Sequence, residues 1–454
     1  MYAIGTLIFY WVMMFVMSKV FIKESSDKDD LLGAGRDFSW KTSSLAIASM
    51  WIWAPALFVS SFQGYTNGWV GLFWFIVPNA LTLLLFIPFA EKLQSVYPEG
   101  YTLVGWMEKK YGRRVKILYL LAMSVVTVLS SAVQVVAGAN VISMTSGIPY
   151  WMAVCLLGLM VASYTHNKGL RISVYSDVTK AVVMVVGALF FSGAIFYYTG
   201  WGDLVSGLSG MNKIDHFFTE SGWVVFFGFG LSTSVGLISG TFGDQSFWQL
   251  SQSTRKGEIG KSFRIGTVIF ACVPILLGLI GVMANGSGFI PQSTEYVNME
   301  IILHYLPAWI IIPFSFMIYG GLLSTLDSNT ASISALINEV TDNDKAVFLS
   351  PMILIVSAVG IALIPGSFIG RLFLLYGTIR ATTTAITMIT LKSKMELKEK
   401  GVFWGVLASM FVGVPLYLYG NINGMPLIQS LGSILALVLS GIISIGYTKW
   451  SERT

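Results

Sequence analysis

The sequence predicts an all-α membrane protein of thirteen transmembrane helices. Three observations carry that prediction. Of the 454 residues, 55% are hydrophobic and only 11% are charged, with a mean hydropathy of +0.72; a soluble domain carries about 25% charged residues. Apolar runs as long as a bilayer requires, about 20 residues, recur along the whole chain. Lys and Arg collect in alternate loops. Together these exclude a disordered chain, a nucleic-acid binder and a soluble enzyme.

The runs fall at 2–22, 43–66, 69–90, 117–144, 149–166, 177–199, 223–249, 263–284, 303–339, 347–364, 368–391, 402–420 and 425–447. The first lacks a basic leader and a small-residue cleavage site, so it reads as a retained helix and not as a signal peptide. The run 303–339 exceeds what a bilayer needs, so its end is expected to project from the membrane. Cys155 and Cys272 each lie inside an apolar run, where they suit packing and offer neither a disulfide framework nor a zinc site.

With the N-terminus outside, the cytoplasmic loops and C-terminus hold all of the 28 Lys and Arg except Lys213, Arg371 and Arg380. Lys213 falls on the opposite side and the two arginines fall within a span. Lys180 counts among the cytoplasmic residues, beside Lys168 and Arg171. This asymmetry sets the direction of insertion, and it accounts for the net charge of +5 without a nucleic-acid partner. The expected location is the plasma (cell inner) membrane.

Polar or helix-breaking residues are costly inside a span, so they mark candidate functional positions. In the second span Pro55 offers no N–H to the carbonyl of Trp51 and clashes with it. A freed carbonyl at that depth must line a cavity or be covered by protein; a plain proline kink would account for the same residue. In 303–339, Ser324, Asp327 and Ser328 lie at i, i+3 and i+4, on one face with Gly321. Their oxygens suit a hard cation such as Na+. An interface of small and hydroxyl residues is the alternative, and the carboxylate argues against it. In 223–249, Gly228, Gly230, Gly236 and Gly240 weaken the helix by about 1 kcal/mol each against Ala, so it is expected to be discontinuous.

The two interrupted spans are five apart. That spacing predicts two inverted repeats of five helices, residues 43–199 and 200–391. An extra helix and a cytoplasmic loop, 1–42, precede them, and two peripheral helices, 392–454, follow. Asp177 opens the sixth span, where the helix dipole by itself would favour a carboxylate.

Several motifs carry a resemblance. Leu32-Gly33-Ala34-Gly35-Arg36 with Trp40 precedes the first interrupted helix. Tyr101-Thr102-Leu103 with Lys110-Tyr111-Gly112 precedes the fourth span, and Ser324-Thr325 lies in the ninth. In this order the chain resembles the sodium:solute symporter family, which has the LeuT-type inverted-repeat fold. The resemblance implies a Na+ site made by the carbonyls of Ala48, Trp51 and Gly321 and the hydroxyls of Ser324 and Thr325. Some members carry a second cation site, which would fall on Asp177, Asp327 and Ser328 and serve Na+ or a proton. The chain departs from the family where Met50 replaces a frequent Asp or Asn, and where Gln249-Leu250 replaces a frequent Gln-Arg. Trp51-Ile52-Trp53-Ala54, Gly71-Leu72-Phe73-Trp74-Phe75 and Asp244-Gln245 look most like the urea/polyamine branch.

The function so implied is Na+-coupled import of a small polar solute, urea or a similar neutral compound, by alternating access. The substrate site would combine Met50 and Gly240 with the flat walls of Trp53 and Trp74 and the amides of Gln63 and Gln245. Na+ is the coupling ion, no organic cofactor is expected, and the partners are the solute and the lipid bilayer. The alternatives are a proton-coupled symporter of an amino acid or other small metabolite and, in a different class, a sensor or channel on the same scaffold. A sensor is expected to carry a cytoplasmic signalling domain and a channel a ring of charge; the sequence reads as neither.

Overall fold

A computed structural model describes residues 2–20, 28–165, 169–341, 343–366 and 368–453. Lys23 and Lys168 of the basic loops, and residues 21–22 of the first apolar run, lie outside them. Among the described residues the chain is helical, with one isolated backbone bridge and no strand. Ten helices are long and apolar enough to cross a membrane, and Ile4–Val16 and Tyr150–Tyr164 are shorter apolar helices.

In chain order, α1 is Tyr2–Val20, α2 Trp40–Trp51, α3 Ser60–Val96, α4 Arg113–Ser146, α5 Tyr150–Thr165 and α6 Gly169–Ser206. Then come α7 Glu220–Ile238, α8 Gln245–Ser253, α9 Ile259–Gly286 and α10 Ile311–Asn338. The last four are α11 Asp344–Ala362, α12 Ile369–Lys392, α13 Glu399–Ile422 and α14 Pro426–Ser451. Helix α10 forms the centre, with every residue from Met317 to Leu336 buried. Outer helices are apolar all round, as lipid contact requires. On α1, Leu7, Tyr10 and Met14 are buried while Ile8, Phe9 and Val12 are exposed.

Two helices are interrupted. Helix α2 ends at Trp51, residues 52–53 leave the helical path, and the chain resumes through a π-turn at Pro55–Val59. Helix α7 ends at Ile238 and α8 starts after the Asp244 N-cap. The run 55–96 is also broken, at Gly68, where φ is 57° and a Cβ would stand 1.9 Å from the Leu208 carbonyl oxygen. Only glycine tolerates both conditions.

Two sequence expectations are corrected here. Helix α6 starts at Gly169, so Asp177 lies about two turns inside it and not at its start. For the same reason Lys180, assigned from the sequence to a cytoplasmic loop, is buried within the bundle.

The ends of the two interrupted helices are joined. The Phe38 N–H donates to the Ser253 carbonyl at 3.1 Å, and the Arg255 N–H donates to the Phe38 carbonyl at 3.0 Å. Beside this clasp, the Arg255 Nε lies 2.6 Å from the Asp37 carboxylate. That hydrogen bond, reinforced by the guanidinium charge, holds the Asp37 carboxyl below the usual carboxylate range.

Candidate functional site

The break after α2 has a simple cause in hydrogen-bond accounting. Pro55 has no N–H, and the Ala54 N–H donates instead to Gln134 Oε1 of α4 at 2.9 Å. The carbonyls of Met50 and Trp51 therefore lose their helical donors. Thr325 of α10 donates to the Met50 carbonyl at 3.2 Å. The Ile52 carbonyl approaches α10 so closely that a Cβ on Gly321 would stand 2.7 Å from its oxygen. The structure thus packs the α2 break against α10 through Met50 on Thr325 and Ile52 on Gly321, with Ala48, Trp51 and Ser324 buried on the same two helices. Sequence reasoning missed the approach of Ile52; a glycine facing a helix break was the available signal.

The donor set fits Na+. Its oxygens are hard ligands. Ser324 donates its hydroxyl hydrogen to Asp177 Oδ1 at 2.6 Å, which leaves the hydroxyl lone pairs available to a cation. The Ala48 carbonyl accepts from the Ile52 N–H at 2.9 Å and keeps a second lone pair.

Next to this junction Asp177, Asp327 and Ser328 do come together, but not alone. Lys180 Nζ lies 2.6 Å from Asp327 Oδ2 and 3.6 Å from Asp177 Oδ1. It also donates to Ser176 Oγ at 3.1 Å. Ser328 donates to Asp177 Oδ2 at 3.4 Å and lies 3.2 Å from the Ser173 hydroxyl. Lys180 is 4% exposed and Asp177 0%.

A second polar cluster lies at the other break. Asp244 caps α8 by accepting from the Ser246 N–H at 3.1 Å, and its Oδ2 lies 2.6 Å from Arg380 Nη2 of α12. Arg380 is 1% exposed and sits over the rings of Tyr376 and Trp53, at 4.6 and 5.4 Å. Trp53 stacks on Trp51 with ring centroids 5.0 Å apart. Met50, Trp53, Asp244, Phe247, Thr325 and Arg380 line a tight cavity of about 10 Å³, room for roughly one water. Trp53 Nε1 and Arg380 Nε are buried with no hydrogen-bond partner among the described residues. Such groups are uncommon in native proteins and call for an explanation.

Of the six expected substrate residues, Met50 and Trp53 line this cavity. Gly240 is adjacent: a Cβ there would stand 2.4 Å from the Trp51 ring. Gln63, Trp74 and Gln245 are turned elsewhere. Gln63 lies ten residues beyond Trp53, about 15 Å along a helix, and accepts from Asn67 at 2.7 Å. Trp74 lies beyond the Gly68 break and packs on Phe217 and Phe226. Gln245 donates to the Tyr101 carbonyl at 2.9 Å. Asp244 and Arg380 were missed as site residues, although each is a charge within a span that must find a partner.

A helical membrane bundle with two interrupted helices around a closed polar cavity has the architecture of a secondary transporter. The family model for the sodium:solute symporter family matches residues 32–409, and the chain belongs to that family. It is similar to a urea active transporter of Saccharomyces cerevisiae, 23% identical over 58% of this chain and 37% of that protein. A urea-proton symporter of Oryza sativa subsp. japonica is 22% identical over 54% of this chain and 37% of its own length. The matched part thus spans well under half the length of these urea-transporter relatives. A sodium/pantothenate symporter of Haemophilus influenzae is 25% identical over 90% of this chain and 87% of its own. Among solved structures, a Na+-coupled sialic acid symporter in a substrate-bound outward-open state has a TM-score of 0.78, at 14% identity, covering 99% of this chain and 98% of that one.

Proposed function

We propose that the protein is a Na+-coupled symporter that imports a small neutral solute bearing a carbonyl acceptor, urea or a close analogue, by alternating access. The observation that carries the coupling ion is the α2 break packed on α10: Thr325 donates to the Met50 carbonyl and the Ile52 carbonyl lies against Gly321, while the Trp51 carbonyl between them has lost its helical donor. Na+ is held there as cargo while the solute is bound next to it, so the two travel together.

The solute reading rests on the cavity. Asp244 and Arg380 neutralise each other, so a neutral solute leaves the pair intact, whereas a carboxylate would compete for the arginine. The unpartnered donors Trp53 Nε1 and Arg380 Nε suit a carbonyl oxygen, and Asp244 suits the N–H groups beside it. The stacked indoles suit a planar molecule. The cavity, about 10 Å³, must widen to admit it, as alternating access requires.

In this reading the chain crosses the plasma membrane thirteen times, with the N-terminus outside and the C-terminus cytoplasmic. Residues 43–199 and 200–391 form the inverted repeats. A second reading, proton coupling at Asp177 and Asp327, is favoured by the likeness to a urea-proton symporter.

The test is uptake of radiolabelled urea into proteoliposomes under an imposed Na+ gradient, an imposed proton gradient, or neither. Accumulation that needs Na+ supports the reading. Accumulation driven by protons alone selects the second reading, and uptake indifferent to both gradients rejects coupling.

A further inference from the structure

We propose that the Lys180 ammonium is a built-in cation that holds the place of a second coupling ion, so that each transport cycle carries one Na+. The inference rests on the Na+-coupled reading above.

The geometry is that of an occupied cation position. An ammonium has three protons and no acceptor. Here it donates to Asp327 Oδ2 at 2.6 Å and Ser176 Oγ at 3.1 Å, with Asp177 Oδ1 3.6 Å away. All four residues are buried. A Na+ among the same oxygens would stand at contact distance from a like charge, in surroundings where water does not screen it. Lys180 lies in the interior of α6, so its charge is covalently retained and never crosses with the solute.

The charges set the ion count. Two carboxylates and one ammonium leave the cluster with a net charge of −1. Ser324 ties that cluster to the proposed cation site, because its hydroxyl hydrogen goes to Asp177, which leaves its lone pairs to a cation. One Na+ at the junction therefore completes neutrality. Without the ammonium, the same carboxylates would need two cations.

The experiment counts bound ions directly and needs no solute. Equilibrium binding of radioactive 22Na+ to the purified full-length protein is measured for the wild type, for Lys180→Met, and for Lys180→Met combined with Asp327→Asn. The double variant keeps the cluster at −1. The expected counts are one, two and one. Two ions bound to the wild type overturn the inference, as does one ion bound to a folded Lys180→Met or two to the double variant. If Lys180→Met alone does not fold, the wild-type and double-variant counts still decide. A wild type with no saturable Na+ binding overturns the Na+-coupled reading itself, a different result from a wild type that binds two.

Discussion

The two interrupted helices are broken by different means, and they present opposite chemistry. At the first break a proline and a diverted N–H leave carbonyls in surplus, so the break offers acceptors. Gly321 lets α10 close on it. At the second break a helix restarts, and the groups that gather there are an N-cap carboxylate and a buried guanidinium with an unsatisfied N–H. The first break is suited to a bare cation and the second to a polar solute.

The comparison breaks most violently at Arg380. Arg380→Met leaves the Asp244 carboxylate buried and unpaired, which costs about 3–5 kcal/mol. The expected result is a large fall in melting temperature in detergent. Adding Asp244→Asn should restore most of the stability while uptake stays strongly reduced, since the Arg380 donor and the Asp244 acceptor proposed for the solute are gone and only Trp53 Nε1 remains. A double variant that transports normally would remove Arg380 from the solute site.

At the first break, Ser324→Ala with Thr325→Ala deletes the two hydroxyls of the proposed cation site and keeps good helix formers. The loss of two oxygen contacts is expected to raise the half-maximal Na+ concentration on the order of 100-fold. Unchanged Na+ dependence in a well-expressed variant would dismiss the junction as a cation site.

Pro55→Ala acts on the same break through the backbone. It supplies an N–H that competes with the cation for the Trp51 carbonyl, at about 1 kcal/mol, so Na+ activation should weaken roughly fivefold. If only the melting temperature moves, the proline serves packing and not the ion.

The smallest effect is expected at the exposed Asp37–Arg255 pair. Because the folded protein holds this carboxyl below its usual value, the pair's contribution is present above the unfolded pKa of about 3.9. It fades as pH falls through the lowered folded value. Asp37→Asn should leave uptake near neutral pH almost unchanged. A strong loss there would mean that the side-chain pair, and not the backbone clasp beside it, holds the two helix ends together.

The all-helical membrane architecture, with ten helices long and apolar enough to span a bilayer, and both interruptions were legible because each follows from a local rule: apolar length, a proline without a donor, glycines crowded into one helix. Ser324 and Asp327 were legible by helical spacing. Three things were not. The rotation of a side chain about its helix axis is set by the neighbour it packs on, which is why Gln63 and Gln245 face other partners. The true start of α6 is two turns earlier than the apolar run, and this turned a loop lysine into a buried one. Last, a buried base needs a charge partner as much as a buried acid does. Applied to Lys180 and Arg380, this rule asks for the carboxylates that the structure places beside them.

The clasp between Phe38 and the end of α8 has a mechanical consequence. It links the segment that leads into one interrupted helix to the segment that leaves the other. While its two backbone bonds hold, these segments form a single lever, and neither can swing without its counterpart. Opening at this end of the molecule therefore takes one of two forms. Either both half-helices move together as a rigid pair, at no cost in hydrogen bonds, or the clasp is severed and water must replace both bonds. Cross-linking the two strands of the clasp separates these routes: a cross-linked protein still cycles by the first and stalls by the second.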